Sequence, residues 1–215
     1  MDPIIKDDAT RILTPTEYES LRSAMEIPYY PIICDALLLS GMRPIEFKRF
    51  EPEWYKASRR IVKLPDGACL KQKCEFVGRS IMLSLPGCDA FDRLISTKYM
   101  FKGKLVPVLD MRPQKVSFND TLKRYAIKAN LPEATIIRRD GTTYTGPDAG
   151  ITVKGFRKTL VSWLVACFPE KAMYIRSSMG HTEETIIDNY LGLGFTTEEI
   201  ATMKSKYLYG WGEAV

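Results

Sequence analysis

Thr152-Val-Lys-Gly-Phe-Arg-Lys-Thr159 opens a stretch in which Phe156, Leu160, Trp163, Leu164 and Cys167 recur at helical spacing, with Thr152 placed as the N-cap. A helix starting there carries Lys154 and Arg157 on its first turns, where both can point at one anion. Downstream, Gly180-His181 is followed nine residues later by Tyr190. If that interval is helical, the tyrosine lies roughly two and a half turns along and presents its hydroxyl beside the imidazole. Upstream, Arg43 lies in the turn Ser40-Gly-Met-Arg-Pro44, between the helical run Ile32 to Ser40 and a second helical start at Ile45-Glu-Phe-Lys-Arg-Phe50. A junction of two helices holds such a side chain firmly.

Two arginines and a tyrosine are what attack on a phosphodiester requires. The non-bridging oxygens gain charge in the transition state, and the planar guanidinium fork binds phosphate through two parallel hydrogen bonds. The departing 5′ oxygen needs a proton. A lysine can give it when burial and neighbouring cations lower its pKa. No metal or organic cofactor is expected, and with a single histidine and five cysteines that form no Cys-x-x-Cys pair, neither a zinc site nor a disulfide framework is expected. The cysteines are expected to be reduced and mostly buried.

Ser40-Gly-Met-Arg43-Pro-Ile-Glu-Phe47 resembles the first-arginine box of the tyrosine recombinases (the phage-integrase family), usually Thr-Gly-Leu-Arg-Ile-Ser-Glu-Leu. Thr152 to Thr159 resembles their Thr-Pro-His-x-Leu-Arg-His-Thr box, and Met179-Gly-His181 with Tyr190 resembles their Leu-Gly-His and its tyrosine. The three boxes stand in the family's order. Lys154 replaces the histidine most common in bacterial and phage members, as it does in integrases of archaeal viruses and plasmids. The likeness runs roughly from Leu13 to Leu193. It implies a mainly helical catalytic domain with a small β-hairpin or three-stranded sheet, an α+β arrangement. It also implies an integrase that cuts double-stranded DNA at attachment sites through a 3′-phosphotyrosine and rejoins it to another strand.

That family places a catalytic lysine on a hairpin after the first-arginine helix. Here Arg60-Ile-Val-Lys-Leu64, the turn Pro65-Asp-Gly67, and Arg79-Ser-Ile-Met-Leu-Ser-Leu85 read as strands with turn chemistry between them. The arm between contains Lys71 and Lys73. In an extended strand both face the same side, so periodicity does not choose between them; Lys73 is taken first, with Lys71 beside it. The resemblance then gives Tyr190 as nucleophile, Arg43 and Arg157 on the non-bridging oxygens, Lys73 or Lys71 as the acid, and Lys154 and His181 supporting charge and orientation. Taken singly, each has an ordinary reading: His181 as a turn residue, Tyr190 as a core aromatic beside Ile186 and Ile187, Arg43 as a cap, Arg157 as a surface ion pair. Rival functions are a type IB topoisomerase-like enzyme that relaxes DNA, a related fold that binds DNA without catalysis, and an unrelated helical module.

The chain of 215 residues, 45% hydrophobic and 27% charged, can bury one sizeable core. A first helix is announced by Leu13-Thr-Pro-Thr-Glu17, with Thr14 as N-cap, Pro15 at the first helical position, Glu17 closing a capping box, and Leu13 and Tyr18 as the staple. Residues 1–12 are therefore expected to form an extension and 13–215 the catalytic domain, without the N-terminal DNA-clamping domain that most of the family carries. Another helix is expected to open at Ser117-Phe-Asn-Asp120 and run from Thr121 to Ala129, followed by a polar loop from Ile136 to Gly150. After the glycines at 192 and 194, Thr196-Thr-Glu-Glu199 starts a tail helix at about 195–210. In the family such a helix often docks on a neighbouring protomer, and docking on its own core is the equal alternative here; an oligomer on DNA (a tetrameric synapse) is expected, with a monomer allowed in solution.

Charge is uneven. Arg43 to Arg79 holds ten Lys or Arg against five acids, and Lys98 to Lys128 eight against two, whereas Glu183 to Val215 holds six acids and two lysines. The two middle segments are candidates for contact with DNA, and the tail is not. No run approaches the length of a membrane span, and Met1-Asp-Pro-Ile-Ile-Lys-Asp-Asp8 is too acidic for a signal peptide, so the host cytoplasm or nucleoid is the expected location.

Overall fold

The computed structural model describes residues 2–68, 78–112, 115–138, 140–180 and 193–213, with 115–117 described by backbone alone. Helix α1 (Pro15–Ser23) begins at the capping box: Thr14 Oγ1 accepts the Glu17 N–H at 3.2 Å, and Glu17 accepts the Thr14 N–H at 3.0 Å. Helix α2 (Tyr29–Ser40) is apolar nearly all round, with Ile33, Cys34, Ala36, Leu37, Leu38 and Leu39 buried, and a helix of that kind belongs in the middle of a core. Helix α6 (Val153–Cys167) packs along it and buries Phe156, Leu160, Trp163, Leu164 and Cys167. Trp163 is fully enclosed, and its Nε1–H donates to the Leu13 carbonyl at 2.9 Å. The buried Asp35 of α2 accepts from Tyr18, Arg22 and Arg93, which ties α1 and α4 (Leu85–Ser96) to the central helix.

The expected sheet forms as three antiparallel strands in the order β3 (Tyr55–Lys56), β4 (Ile61–Lys63), β5 (Ser80–Met82), with Val62 opposite Ile81 and both turned into the core. Helix α7 (Ala172–Met179) packs on β5. The last strand ends earlier than its sequence suggested. Ser84 leaves the sheet to cap α4, accepting the Gly87 N–H at 3.1 Å and donating to the Tyr207 carbonyl at 2.7 Å.

Two expectations are corrected. Ser117 to Asp120 does not open a helix: α5 (Lys115–Lys128) is already under way there, and Asn119 Oδ1 instead accepts the Val153 N–H at 2.9 Å, capping α6 from a neighbouring helix. The stretch from Ile136 is not a loop but a hairpin, β8 (Ala134–Ile137) against β9 (Thr143–Gly146). Its β-branched run was outweighed in the sequence by its polar content, and Thr135 and Thr145 share a cross-strand hydrogen bond at 2.9 Å. A further hairpin joins β6 (Lys98–Phe101) and β7 (Lys104–Pro107).

At the amino end, β1 (Ile4–Ile5) pairs with β2 (Arg11–Ile12). Arg11 is fully buried, ion-paired with Glu17, and donates to the Pro147 carbonyl at 3.1 Å. At the other end, α8 (Thr197–Thr202) continues through one wider turn to Tyr207, and the tail folds back on its own sheet. Arg60 donates to the carbonyls of Gly210 (2.9 Å) and Glu213 (2.6 Å), and the buried Trp211 donates to Met82 O at 3.2 Å. Cys34, Cys88 and Cys167 are buried free thiols, and burial pushes the Cys167 thiol up to about 11. Among the described residues no helix is long and apolar enough to cross a membrane.

Candidate active site

Helix α2 stops at Gly41, which adopts a left-handed conformation (φ +58°) at the place where α6 and α7 converge. A Cβ there would come within 2.9 Å of both Leu160 and Met179 side chains, so only glycine lets the three helices meet. Two residues later Arg43 is the N-cap of α3 (Pro44–Arg49). The following proline favours the extended backbone that an N-cap needs. Glu46, at the third position of that helix, reaches back to accept the Arg43 N–H at 2.7 Å and the Arg43 guanidinium at 2.9 Å. Its side chain has no exposed surface, whereas that of Arg43 is one-third exposed.

Arg157, one turn after Lys154 on α6, is buried against the same junction. Its Nη1–H donates to the Gly41 carbonyl at 2.8 Å and its Nη2–H to the Met179 carbonyl. Both acceptors are carbonyls at helix C-termini, where backbone groups lack helical partners and the dipole favours a cation. One guanidinium thus fastens the ends of α2 and α7 together. The amino end of α6 is capped twice, by Thr152 Oγ1 on the Gly155 N–H at 3.2 Å and by Asn119 on Val153. Lys154 stands exposed on that first turn.

A third cation completes the cluster. Arg79, just before β5, donates to Glu46 Oε2 at 2.6 Å. Burial alone would raise the Glu46 pKa. The charge of Arg79, the backbone and side-chain hydrogen bonds from Arg43, and the charge of Arg157 outweigh it and hold the carboxyl below the usual glutamate range. Arg43 and Arg79 therefore hydrogen-bond one carboxylate, and the charge of Arg157 reaches it from the same junction, a concentration of positive charge suited to drawing in an anion.

The structure brings Arg43 and Arg157 together and places Lys154 on the same helix as Arg157. Lys71, Lys73, His181 and Tyr190 lie outside the described residues. The sequence quoted Glu46 inside the first-arginine box but gave it no role, and missed Arg79. An arginine at a strand start is ordinary, and only its pairing with an acid on a distant helix distinguishes it.

No protein-family model matches the chain, and no curated protein matches it by sequence. Solved structures do match it in shape. The Tn1549 transposon integrase in complex with transposon right-end DNA superposes with a TM-score of 0.60 at 16% identity, over 93% of this chain and 66% of that one. The same integrase with circular-intermediate DNA gives 0.57 at 15%, over 88% and 64%. The XerA recombinase gives 0.55 at 14%, over 95% and 66%. The chain thus spans about two thirds of the length of these structures or slightly less. Its fold is that of tyrosine recombinase catalytic domains: mainly α, with small antiparallel sheets.

Proposed function

We propose that this protein is a site-specific DNA recombinase, an integrase of the tyrosine type, in which residues 13–215 form the catalytic domain behind an extension at 1–12. The observation that carries the reading is the convergence of Arg43 and Arg157 on one helix junction, where Arg157 holds the Gly41 carbonyl and Arg43, two residues on, pairs with the buried Glu46. Arg43, one-third exposed, has donors left for a non-bridging oxygen of a phosphodiester, and Arg157 adds its charge from the same junction.

In this mechanism the Tyr190 oxygen gives up its proton to water, attacks the phosphorus of double-stranded DNA and forms a 3′-phosphotyrosyl bond as the phosphorus–5′-oxygen bond breaks. Lys73 or Lys71 gives the departing 5′ oxygen its proton, and Lys154 and His181 support charge and orientation. The new ester conserves the free energy of the old one, so the 5′ hydroxyl of a second strand can reverse the attack without a high-energy cofactor or a metal. Lys154 in the second box supports placing the chain with integrases of archaeal viruses and plasmids. Assembly of several protomers on paired attachment sites, in the cytoplasm or nucleoid of the host, belongs to the same reading.

A nicked duplex tests it, its sequence taken from a pool selected for binding: after cleavage the short product diffuses away and the adduct is trapped. Mass spectrometry is expected to place the 3′ end on the Tyr190 peptide, and Tyr190→Phe to abolish the adduct while still binding DNA. An adduct on another tyrosine, or none with any duplex, overturns the assignment. Relaxation of supercoiled plasmid regardless of sequence would instead identify a topoisomerase.

A further inference from the structure

We propose that Arg79 is a positioning residue: it anchors the carboxylate of Glu46, and through Glu46 it sets the guanidinium of Arg43 for the substrate phosphate. This rests on the recombinase reading of the site.

The division of work follows from exposure and geometry. Glu46 Oε1 accepts from the Arg43 guanidinium at 2.9 Å, and Oε2 accepts from the Arg43 backbone at 2.7 Å and from Arg79 at 2.6 Å. The Arg79 side chain is 9% exposed and that of Arg43 32%. The enclosed cation lies beside the enclosed acid, and the open one retains surface from which to reach a ligand. A buried carboxylate with Arg43 as its sole counter-charge would pull that guanidinium inward to compensate for its own desolvation. With Arg79 in place, Arg43 commits one amino group to Glu46, and the guanidinium has further donors to offer.

Arg79 also touches the far side of the site. Gly180 ends α7 in a left-handed conformation (φ +61°), and a Cβ there would lie 3.2 Å from Arg79 Cδ and 3.3 Å from its Nη1. The arginine stem thus occupies the room that the glycine leaves. One side chain thereby links the start of α3, the start of β5 and the end of α7, and Arg157 fastens that same end of α7 from the side of α2.

The test compares wild type with Arg79→Met, Arg79→Lys, Glu46→Gln and the Arg79→Met/Glu46→Gln pair on a nicked duplex that wild type cleaves. Adduct formation is followed at saturating protein, and DNA affinity is measured over a series of salt concentrations. A positioning role predicts a loss of rate of roughly 10- to 100-fold in Arg79→Met, by analogy with outer partners of metal ligands. The salt slope of affinity stays unchanged, Arg79→Lys recovers part of the rate, and the double variant is no slower than the worse single one. A wild-type rate in Arg79→Met overturns the proposal. So does a salt slope reduced by about one, since that marks Arg79 as a direct phosphate contact. Should Arg79→Met fail to fold by circular dichroism, the conservative Arg79→Lys carries the same comparison. No adduct from wild type on any duplex defeats the recombinase reading itself, whereas adduct from wild type with an indifferent Arg79 defeats this proposal alone.

Discussion

Arg157 donates to two backbone carbonyls with one rigid fork, and no other cationic side chain reproduces that span. Arg157→Lys retains the charge but can satisfy at most part of it, which leaves a buried helix-end carbonyl without its partner at about 1–3 kcal/mol. We expect the denaturant midpoint to fall accordingly and adduct formation to slow by roughly 10²- to 10³-fold, as when one donor to a developing oxyanion is removed. Glu46 gives a prediction in pH. Its folded pKa lies below the unfolded value near 4.3. The ionised carboxylate therefore contributes stability that is fully present above that value and is lost as pH falls through the lower, folded one. Urea titrations from pH 6 downwards should show this acid limb in wild type and a flatter one in Glu46→Gln. Equal limbs in both proteins would place the acid sensitivity elsewhere.

The start of helix α1 was legible because its signals are local: Thr14, Pro15 and Glu17 act on one another within a single turn. Helix α6 was legible for the same reason, its apolar stripe and Thr152 cap being contiguous. What the sequence hid was long-range. Asn119 has the composition of a helix start but serves as a cap for another helix, and Arg79 acquires meaning only from an acid on α3. The β8–β9 hairpin was masked by its threonines, which read as polar although they pair across strands. The join of α2 to α3 combines both kinds of information: Gly41 is a local stop signal, yet its necessity comes from Leu160 and Met179. Gly41→Ala should be destabilising through two separable costs, about 1–2 kcal/mol for an L-residue in the left-handed region and about 1–3 kcal/mol for overpacking. A double-mutant cycle of Gly41→Ala with Leu160→Ala, followed by thermal unfolding, reads the part of the overpacking that falls on Leu160 as the coupling between the two changes.

Across the molecule, both ends of the described chain are built into the structure. The tail reaches the sheet through Trp211, which is buried and stacks on Phe168 with ring centroids 5.8 Å apart. Trp211→Ala should cost about 3–5 kcal/mol, as for other buried tryptophans, and calorimetry should show a single transition at lower temperature rather than a separate melting of the tail. At the opposite terminus, Arg11 sits beneath the cap of α1, and its backbone N–H donates to the Gly150 carbonyl at 3.0 Å, close to the start of α6. Truncating the chain at Leu13, where the helical signals begin, would leave the buried Glu17 carboxylate without its arginine and the Gly150 carbonyl without the Arg11 N–H. Residues 2–12 thus act as a wedge under the helix that holds Arg157, and shortening them should lower the unfolding temperature and, on the recombinase reading, slow adduct formation.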